Sequence, residues 1–271
     1  MSLTSPSTFG VIGLGRMAQA LLFPWLESGL VQRASVRAVV ASQVSAQRLQ
    51  TEHAGLSVSV DGREAWAAPV VMLAVKPQQL EAVAAAAPAP APGASPLLIS
   101  VLAGVKLERL QRLFPGWRVV RSVPNTPCLV RAGLTALAWG QGLEAEQKDW
   151  LLELFAQVGE VLELPETQLD AFLALTSSGP AFVALVAEAM ADGAVASGLP
   201  RAQALHLAHR TLAGTAALLH EQQLHPGQLK DMVTSPGGTT IAGVRALEQA
   251  GLRSALIEAV VAAAERSRAL G

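Results

Sequence analysis

The chain has 271 residues, of which 51% are hydrophobic and 15% charged, and its formal net charge is −1 at pH 7. This length suits one large domain or two moderate ones, and the apolar content excludes disorder over most of the chain. The near-neutral charge, without a basic tract, argues against a nucleic-acid partner. Because so few charges accompany so much apolar surface, we expect an oligomer that buries an apolar helical face.

Cysteine and histidine usage limits the chemistry further. Cys128 is the only cysteine, which rules out an intrachain disulfide and predicts a buried or loop thiol in a reducing cytoplasm. The five histidines are scattered, so no metal site is predicted. The uncharged stretch 82–105 contains four prolines and is therefore predicted to be a helix end, a stiff loop and a buried strand, not a membrane span.

The first half of the chain alternates short β-branched runs with helical segments. No signal-peptide pattern is present at the N-terminus, where residues 1–8 are predicted to form a disordered tail. Strands are predicted at residues 9–13, 36–41, 70–75, 97–101, 118–121 and 134–139. Helices are predicted between them at residues 17–27, 45–53, 78–86 and 107–113. This alternation is typical of a parallel sheet covered by helices on both faces.

The pattern changes near Pro165, after which apolar residues recur at helical spacing and strand-like runs disappear. We therefore predict an α/β domain over residues 1–164 and an all-helical domain over residues 165–271. Many alanines in the later helices would allow close helix approach, which suits an interdigitated dimer. A compact monomeric bundle is the alternative.

A glycine-rich run, Gly13-Leu14-Gly15-Arg16-Met17-Ala18, follows the first predicted strand and opens the first helix. In this G-x-G-x-x-A pattern Gly13 makes the turn, Gly15 lets the backbone approach a pyrophosphate, and Ala18 lets helix and strand pack closely. We therefore predict a Rossmann-type dinucleotide site formed by Gly13, Leu14, Gly15, Arg16 and Met17.

The end of the second predicted strand indicates which dinucleotide binds. An NAD-selective enzyme usually places an acid there, but none occurs before Glu52. Ser42 and Gln43 can donate to a 2′-phosphate, and Arg48 could neutralise it. NADPH is thus predicted as the preferred cofactor, with NADH as the other choice; Ser42 could instead only cap the second helix.

Three later turns also follow predicted strands, at the sheet edge where ligands bind. The first is Ala74-Val75-Lys76-Pro77, where Lys76 either approaches the cofactor or is an ordinary solvated lysine. The second is Ala103-Gly104. The third holds Asn125 between two prolines, where its amide could reach a nicotinamide carboxamide or form a plain Asx turn.

The run from Val233 to Thr240 places Ser235-Pro236-Gly237-Gly238 before an apolar-periodic segment predicted to be helical. A Gly-Gly turn at a helix start directs several backbone N–H groups, and the positive end of the helix dipole, at one point. Such a point can bind a small carboxylate without a cationic side chain. From these residues alone, a helix cap with a Gly-rich turn is the favoured explanation of the run.

In this arrangement, the motifs resemble those of the pyrroline-5-carboxylate reductases nearly end to end. The matching runs are residues 13–18, 74–78, 123–127, 178–182, 192–200 and 233–240. The resemblance implies reduction of L-1-pyrroline-5-carboxylate to L-proline by hydride from NAD(P)H, the last step of proline biosynthesis. It also implies a homodimer built from the helical domain, often assembled into larger rings.

On this resemblance the substrate carboxylate is assigned to the N–H groups around Gly237, Gly238 and Thr239, assisted by the Ser235 hydroxyl. Thr240 is assigned to the ring nitrogen as the catalytic residue, while Asn125, Ala103 and Gly104 would hold the nicotinamide. Three residues depart from the usual family pattern: Ser177 replaces a common Gly, Arg16 a small polar residue, and Phe182 a common Tyr.

Two other functions would account for part of these motifs. A related imine or 3-hydroxyacid oxidoreductase shares the fingerprint, but the hydroxyacid enzymes use a helical-domain lysine, and residues 171–192 contain neither Lys nor Asn. A non-catalytic dinucleotide sensor would need only the N-terminal half and would have no use for a carboxylate-binding run.

Overall fold

The computed structural model describes residues 6–270, with the backbone alone at residue 270. Within this range the strands are β1 (Phe9–Ile12), β2 (Val36–Val39), β3 (Ser57–Ser59), β4 (Val70–Leu73), β5 (Leu97–Ser100), β6 (Arg118–Val123), β7 (Gly133–Trp139) and β8 (Gly159–Glu163). The helices are α1 (Arg16–Glu27), α2 (Gln43–Glu52), α3 (Arg63–Trp66), α4 (Leu80–Ala86), α5 (Leu107–Leu113), α6 (Ala145–Ala156), α7 (Leu169–Thr176), α8 (Gly179–Ala196), α9 (Arg201–Glu221), α10 (Pro226–Met232), α11 (Thr239–Gln249) and α12 (Leu252–Leu270). All six predicted strands and all four predicted helices of the first half are confirmed.

The strands form one eight-stranded sheet in the order β3-β2-β1-β4-β5-β6-β7-β8. Every neighbouring pair is parallel except β6 and β7, which are antiparallel. The expectation of a purely parallel sheet is therefore wrong at this pair. The connection over residues 124–132 is too short for a crossover helix, so the chain turns back on itself.

The two strands that the sequence did not predict, β3 and β8, lie at the two edges of the sheet. β3 has only three residues, two of them serine, and β8 contains one glycine and two glutamates. Serine, glycine and glutamate carry little strand signal, so pairing with a neighbour determines these strands.

Side chains of the central strands alternate between two separate hydrophobic clusters. Met72 of β4 packs with Trp25 of α1 and Phe155 of α6, whereas Leu73 packs on the other face with Trp66 and Phe114. Because successive side chains of a strand point to opposite faces, both faces are apolar and both are covered by helices. The predicted α/β architecture with helices on both faces is confirmed.

Helix α7 is attached to the sheet by a buried ionic cluster. Arg121 of β6 is 1% exposed and lies 2.9 Å from the Glu166 carboxylate and 3.9 Å from that of Asp170. The Ser267 hydroxyl of α12 donates to Asp170 at 2.7 Å. Leu169 and Phe172 of α7 pack against the same hydrophobic cluster as β6. The cluster thus joins β6, α7 and the end of α12.

The chain divides into two compact units. The first unit, which contains the sheet, comprises the chain up to Ser177 together with the segment that begins at Ala263. The second unit is Ser178–Ala262. The division predicted between residues 164 and 165 precedes this boundary by one helix, because α7 packs on the sheet. Residues 1–5 of the predicted tail over residues 1–8 lie outside the described residues. Pro6, which the structure describes, is buried.

The helical unit buries almost none of its side chains. Of residues 178–262, all of which the structure describes, only four alanines are buried: Ala187, Ala191, Ala204 and Ala208. Large apolar side chains are exposed on its helices, among them Val183, Leu185, Met190, Leu207, Leu247 and Ile257. The core of this unit is a small cluster around Ala191, Ala204 and Ala208, which leaves the large apolar side chains exposed, as expected of an oligomerisation surface.

One helical run within the described residues, Glu166–Ala196, is long and apolar enough to cross a membrane by length and composition, and 17% of its most apolar window is buried. The run is interrupted at Ser177 and Ser178, between α7 and α8. Because α7 packs against the sheet, the run comprises a sheet-covering helix followed by a separate apolar helix.

Candidate functional site

The first strand leads into α1 through two glycines with different roles. Gly13 has φ +95°, and an added Cβ would lie 2.8 Å from the Ala74 carbonyl oxygen, so both its conformation and its surroundings require glycine. Gly15 caps α1 with φ −82°, and an added Cβ would meet nothing within 4 Å. Because no described residue lies close enough to require glycine at position 15, the space beside it is free for a ligand.

A cleft of about 590 Å³ opens at this helix N-terminus, over the carboxyl ends of β1, β2 and β4. It gathers seven of the predicted cofactor residues: Gly13, Leu14, Gly15, Arg16, Ala74, Val75 and Lys76. The cleft lies where the strand order reverses between β1 and β4, which is the usual ligand position in a doubly wound sheet.

The charges lining the cleft are all positive. Arg16, Arg48 and Lys76 line it, whereas no acidic side chain among the described residues does. Arg16 has no ion pair in the described part of the chain, and Arg48 lies 3.7 Å from the exposed Glu52. In a chain of net charge −1 this concentration of cations favours a polyanionic ligand.

The cleft is also lined by Gln19, Ser45 and Gln79, which were not predicted as site residues, and by Arg48, which was predicted to neutralise a 2′-phosphate. Ser45 and Arg48 come from the first two turns of α2, and Gln19 from the first turns of α1, where its amide donates to the Leu14 carbonyl at 3.0 Å. Gln79 lies opposite and accepts from the Lys76 N–H at 3.2 Å. The signal that could have found them is helical spacing, because residues about one turn into a helix share the ligand-facing side of its N-terminus.

Three predicted cofactor residues near the cleft do not line it. The Ser42 hydroxyl accepts from the Ser45 N–H at 3.3 Å and so caps α2. Met17 is half-buried and packs against the core beneath α1. Pro77 begins a short 3-10 turn after Lys76. Each therefore has a local structural role beside the cleft.

Four other predicted cofactor residues lie elsewhere. Gln43 lines a separate polar cleft with Arg37 and Glu64. Ala103 and Gly104 form a turn after β5, with φ +75° at Gly104. Asn125 is 4% exposed, and both the nitrogen and the oxygen of its side-chain amide form hydrogen bonds with other parts of the chain. These four residues are not among those that line the dinucleotide cleft.

Cys128 is buried in the 3-10 turn that follows Asn125. Burial raises the pKa of the Cys128 thiol, which disfavours the reactive thiolate. The expectation of a buried thiol is confirmed. No group of three or more potential metal ligands occurs among the described residues.

The predicted substrate-binding run lies in the helical unit, at the start of α11. Gly237 has φ +68°, and the Gly238 N–H donates to the Ser235 carbonyl at 3.1 Å, which closes a tight turn. A Cβ added at Gly238 would lie 2.3 Å from the Ser235 hydroxyl oxygen, so this hydroxyl lies against the glycine backbone. The positive φ thus favours glycine at position 237, whereas at position 238 an added side chain would displace the Ser235 hydroxyl.

The first turn of α11 leaves backbone donors free. The N–H groups of Thr239, Thr240 and Ile241 have no hydrogen-bond partner among the described residues, and Gly238 provides no side-chain cap. The first N–H bonded within the helix is that of Ala242, to Gly238. The run therefore presents unpaired donors, a neighbouring hydroxyl and the positive end of a helix dipole.

The fold and the cleft define a Rossmann-type nicotinamide-dinucleotide oxidoreductase with a C-terminal helical unit. Residues 166–270 match the family described as pyrroline-5-carboxylate reductase dimerisation, and residues 8–104 match that described as NADP oxidoreductase, coenzyme F420-dependent. The chain is 48% identical over 266 residues to a pyrroline-5-carboxylate reductase of Synechocystis sp., and 41% identical over 267 residues to that of Methanosarcina acetivorans, with 97% of both chains covered each time. The chain belongs to the pyrroline-5-carboxylate reductase family.

Solved structures agree with this assignment. The pyrroline carboxylate reductase of Plasmodium falciparum, solved with NADP bound, is 27% identical, with a TM-score of 0.88 over 100% of this chain and 99% of that one. The pyrroline-5-carboxylate reductase of Coxiella burnetii is 32% identical, with a TM-score of 0.85 over 98% of each chain.

Proposed function

We propose that this protein reduces L-1-pyrroline-5-carboxylate to L-proline by hydride transfer from NADPH, the last step of proline biosynthesis. The observation that carries the proposal is the set of unpaired N–H groups at the start of α11, in a chain with a dinucleotide cleft. The substrate is a cyclic imine with one carboxylate. Its protonated C=N carbon is already electrophilic, so orientation matters more than acid–base chemistry.

The substrate carboxylate would lie against the Gly237-Gly238-Thr239 run and accept from its free N–H groups, since the Gly238 N–H is already donated to the Ser235 carbonyl, with the Ser235 hydroxyl beside them. A helix N-terminus binds an anion through free N–H groups and its dipole, without needing a lysine or arginine. Thr240 would hydrogen-bond the ring nitrogen, since its hydroxyl is in the same first turn of α11. Hydride addition to the imine carbon then leaves the neutral ring amine of proline.

NADPH is the proposed cofactor, with NADH as a weaker substitute. Arg16, Arg48 and Lys76 line the cleft and would compensate the charge of the pyrophosphate and the 2′-phosphate. Arg48 is on α2, directly after β2, which is where a dinucleotide-binding sheet contacts the adenosine ribose. Ser42, Gln43, Met17, Pro77, Ala103 and Gly104 remain predicted contacts of this cofactor, whereas the Asn125 amide is already hydrogen-bonded within the chain at both ends.

A second copy of the chain would cover the exposed apolar faces of the helical unit, giving a homodimer or a larger ring. Only four alanines of residues 178–262 are buried, so the internal core of this unit is small, which supports self-association. Residues 1–164 would then bind the dinucleotide and residues 165–271 the substrate and the partner. We place the enzyme in the cytoplasm, without nucleic-acid or membrane partners.

The direct test measures NADPH oxidation with L-1-pyrroline-5-carboxylate and identifies proline as the product. Reverse assays with 3-hydroxyacids and NADP⁺ should show no turnover. Tight dinucleotide binding with no turnover on any of these substrates would contradict the proposal and favour a sensor.

The role of Thr240 has its own test. Thr240→Val keeps the side-chain shape and removes the hydroxyl, and loss of one hydrogen bond to a charged group should lower kcat/KM for the imine by about 10- to 100-fold. The matched control is Thr51→Val, on an exposed face of α2, where the hydroxyl bonds only the Gln47 carbonyl. Equal activity of both variants would exclude Thr240 from the reaction.

A further inference from the structure

Asn125 is the only asparagine in the chain, and its side chain connects two segments that are distant in sequence. Its amide nitrogen donates to the Thr176 carbonyl at 3.0 Å, and its amide oxygen accepts from the Leu134 N–H at 2.8 Å. Leu134 is in β7, and Thr176 is the last residue of α7. A single buried amide thus joins the end of β6, the start of β7 and the end of α7.

A further hydrogen bond joins the turn after β6 to the end of α7. The Ser177 hydroxyl donates to the Pro124 carbonyl at 3.3 Å, one residue before Asn125. The turn after β6 is therefore fastened twice to the end of α7. The 3-10 turn that precedes α7 is held to β6 by the Arg121–Glu166 ion pair at 2.9 Å, so the segment from Glu166 to Ser177 is tied to β6 and its following turn at both ends.

The fastened turn lies at the functional edge of the sheet. Strands β1, β4, β5 and β6 are parallel neighbours, so the turn after β6 is at the same edge as the dinucleotide cleft. The nicotinamide half of an extended dinucleotide lies along this edge, past the switch point. Ser177 is also the residue at which the chain leaves the sheet unit.

We infer that Asn125 and Ser177 are positioning residues, which hold the Pro124–Asn125 turn and the end of α7 in one fixed arrangement for hydride transfer. This inference rests on the proposed function. It assigns the Asn125 amide to its two partners within the chain, and not to direct binding of the nicotinamide carboxamide.

Chemistry explains why such a junction would matter for turnover. A buried amide that loses a partner leaves an unsatisfied donor or acceptor, so the turn and the helix end would separate or admit water. Hydride transfer requires donor and acceptor atoms held near 3–3.5 Å, and a misplacement of about 1 Å can cost about 100-fold in rate. The step itself depends on the cofactor and the imine, which these residues do not need to contact.

The experiment compares Asn125→Ala, Asn125→Asp, Ser177→Ala and the double variant Asn125→Ala/Ser177→Ala. Asn125→Asp keeps the acceptor for Leu134 but loses the donor to Thr176. There are two matched controls. Gln50→Ala removes the hydrogen bond that the Gln50 side-chain amide donates to the Val58 carbonyl, and Ser35→Ala removes the hydrogen bond that the Ser35 hydroxyl donates to the Gln32 carbonyl. Measured quantities are kcat, the KM of both substrates, the NADPH Kd, the melting temperature and amide exchange by mass spectrometry.

We expect Asn125→Ala to lower kcat by about 10- to 100-fold while the NADPH Kd changes by less than about 2-fold. Asn125→Asp should resemble it, and Ser177→Ala should lower kcat by about 2- to 5-fold. Because both residues hold one junction, the double variant should be little worse than Asn125→Ala alone. Peptides covering residues 133–139 and 169–177 should exchange faster in Asn125→Ala and unchanged in the controls.

Three results would overturn the inference. A rise in NADPH Kd that matches the loss in kcat/KM, at constant kcat, would make Asn125 a cofactor ligand. A lower melting temperature at unchanged kcat would leave it a purely structural residue. Unchanged amide exchange in every variant would show that no junction is held. If the wild-type protein lacks turnover, the proposed function fails, and the exchange measurement still decides whether the junction exists.

Discussion

The strongest test of the cofactor assignment is removal of Arg48. Its guanidinium lines the dinucleotide cleft, is 61% exposed, and lies 3.7 Å from the Glu52 carboxylate. Arg48→Ala removes one cation from the cleft and also leaves Glu52 without its partner. A 2′-phosphate at this edge would lose a charge-assisted hydrogen bond and gain a nearby negative charge.

The size of the effect follows from these two changes. A hydrogen bond to a charged group contributes about 1.5–3 kcal/mol, and solvent exposure of Arg48 places the value in the lower half of that range. About 2 kcal/mol corresponds to about a 30-fold loss in kcat/KM for NADPH. NADH lacks the 2′-phosphate, so its kcat/KM should change by less than about 2-fold. Added salt should raise the wild-type KM for NADPH more than that for NADH.

The assay is steady-state turnover with each dinucleotide at a fixed, saturating imine concentration. Arg63→Ala is the matched control, because this arginine also pairs with an exposed carboxylate, Asp61, yet does not line the cleft. Equal losses with NADPH and NADH would refute the reasoning, since Arg48 would then act on a part that both dinucleotides share.

Three further outcomes are expected. Gly15→Val should leave the melting temperature nearly unchanged, since nothing lies within 4 Å of an added Cβ, and should weaken NADPH binding measured by titration by at least about 10-fold. Arg121→Ala removes a buried guanidinium from the partly exposed Glu166 and Asp170 carboxylates and should lower the free energy of unfolding by about 1.5–3 kcal/mol, measured in denaturant at a fixed chain concentration. Because burial raises the pKa of Cys128, a thiol reagent at neutral pH should label it only after denaturation. An intact melting curve for Arg121→Ala, or rapid labelling of the native thiol, would contradict the respective reasoning.

Much of the sheet could be predicted from the sequence because its inner strands are apolar runs buried on both faces. β4 and β5 are such runs, and the fingerprint at Gly13 follows the first strand at the expected spacing. Strand direction has no such signal. β7, which runs antiparallel to β6, is largely apolar like the parallel strands β4 and β5, and only the length of its connection distinguishes it.

The candidate site was predictable where local backbone geometry defines it. Gly13, Gly15 and Gly237 have the conformations or the free space that their motifs require. The partners of long side chains were not predictable. Asn125 was placed at the correct sheet edge, but its partner Thr176 is 51 residues away, and no local pattern encodes such a contact.

The return of residues 263–270 to the sheet unit affects how the protein is made. Ser267 bonds Asp170 across 97 positions, and the whole helical unit lies between them. On the ribosome the sheet therefore emerges early but lacks part of its covering until all of α11 and most of α12 have been translated. During this time the sheet unit of the nascent chain is incomplete, and the apolar faces of α8 and α9 are exposed. Chaperone binding during synthesis, and pairing with another copy soon afterwards, would shield these apolar surfaces until the sheet unit is complete.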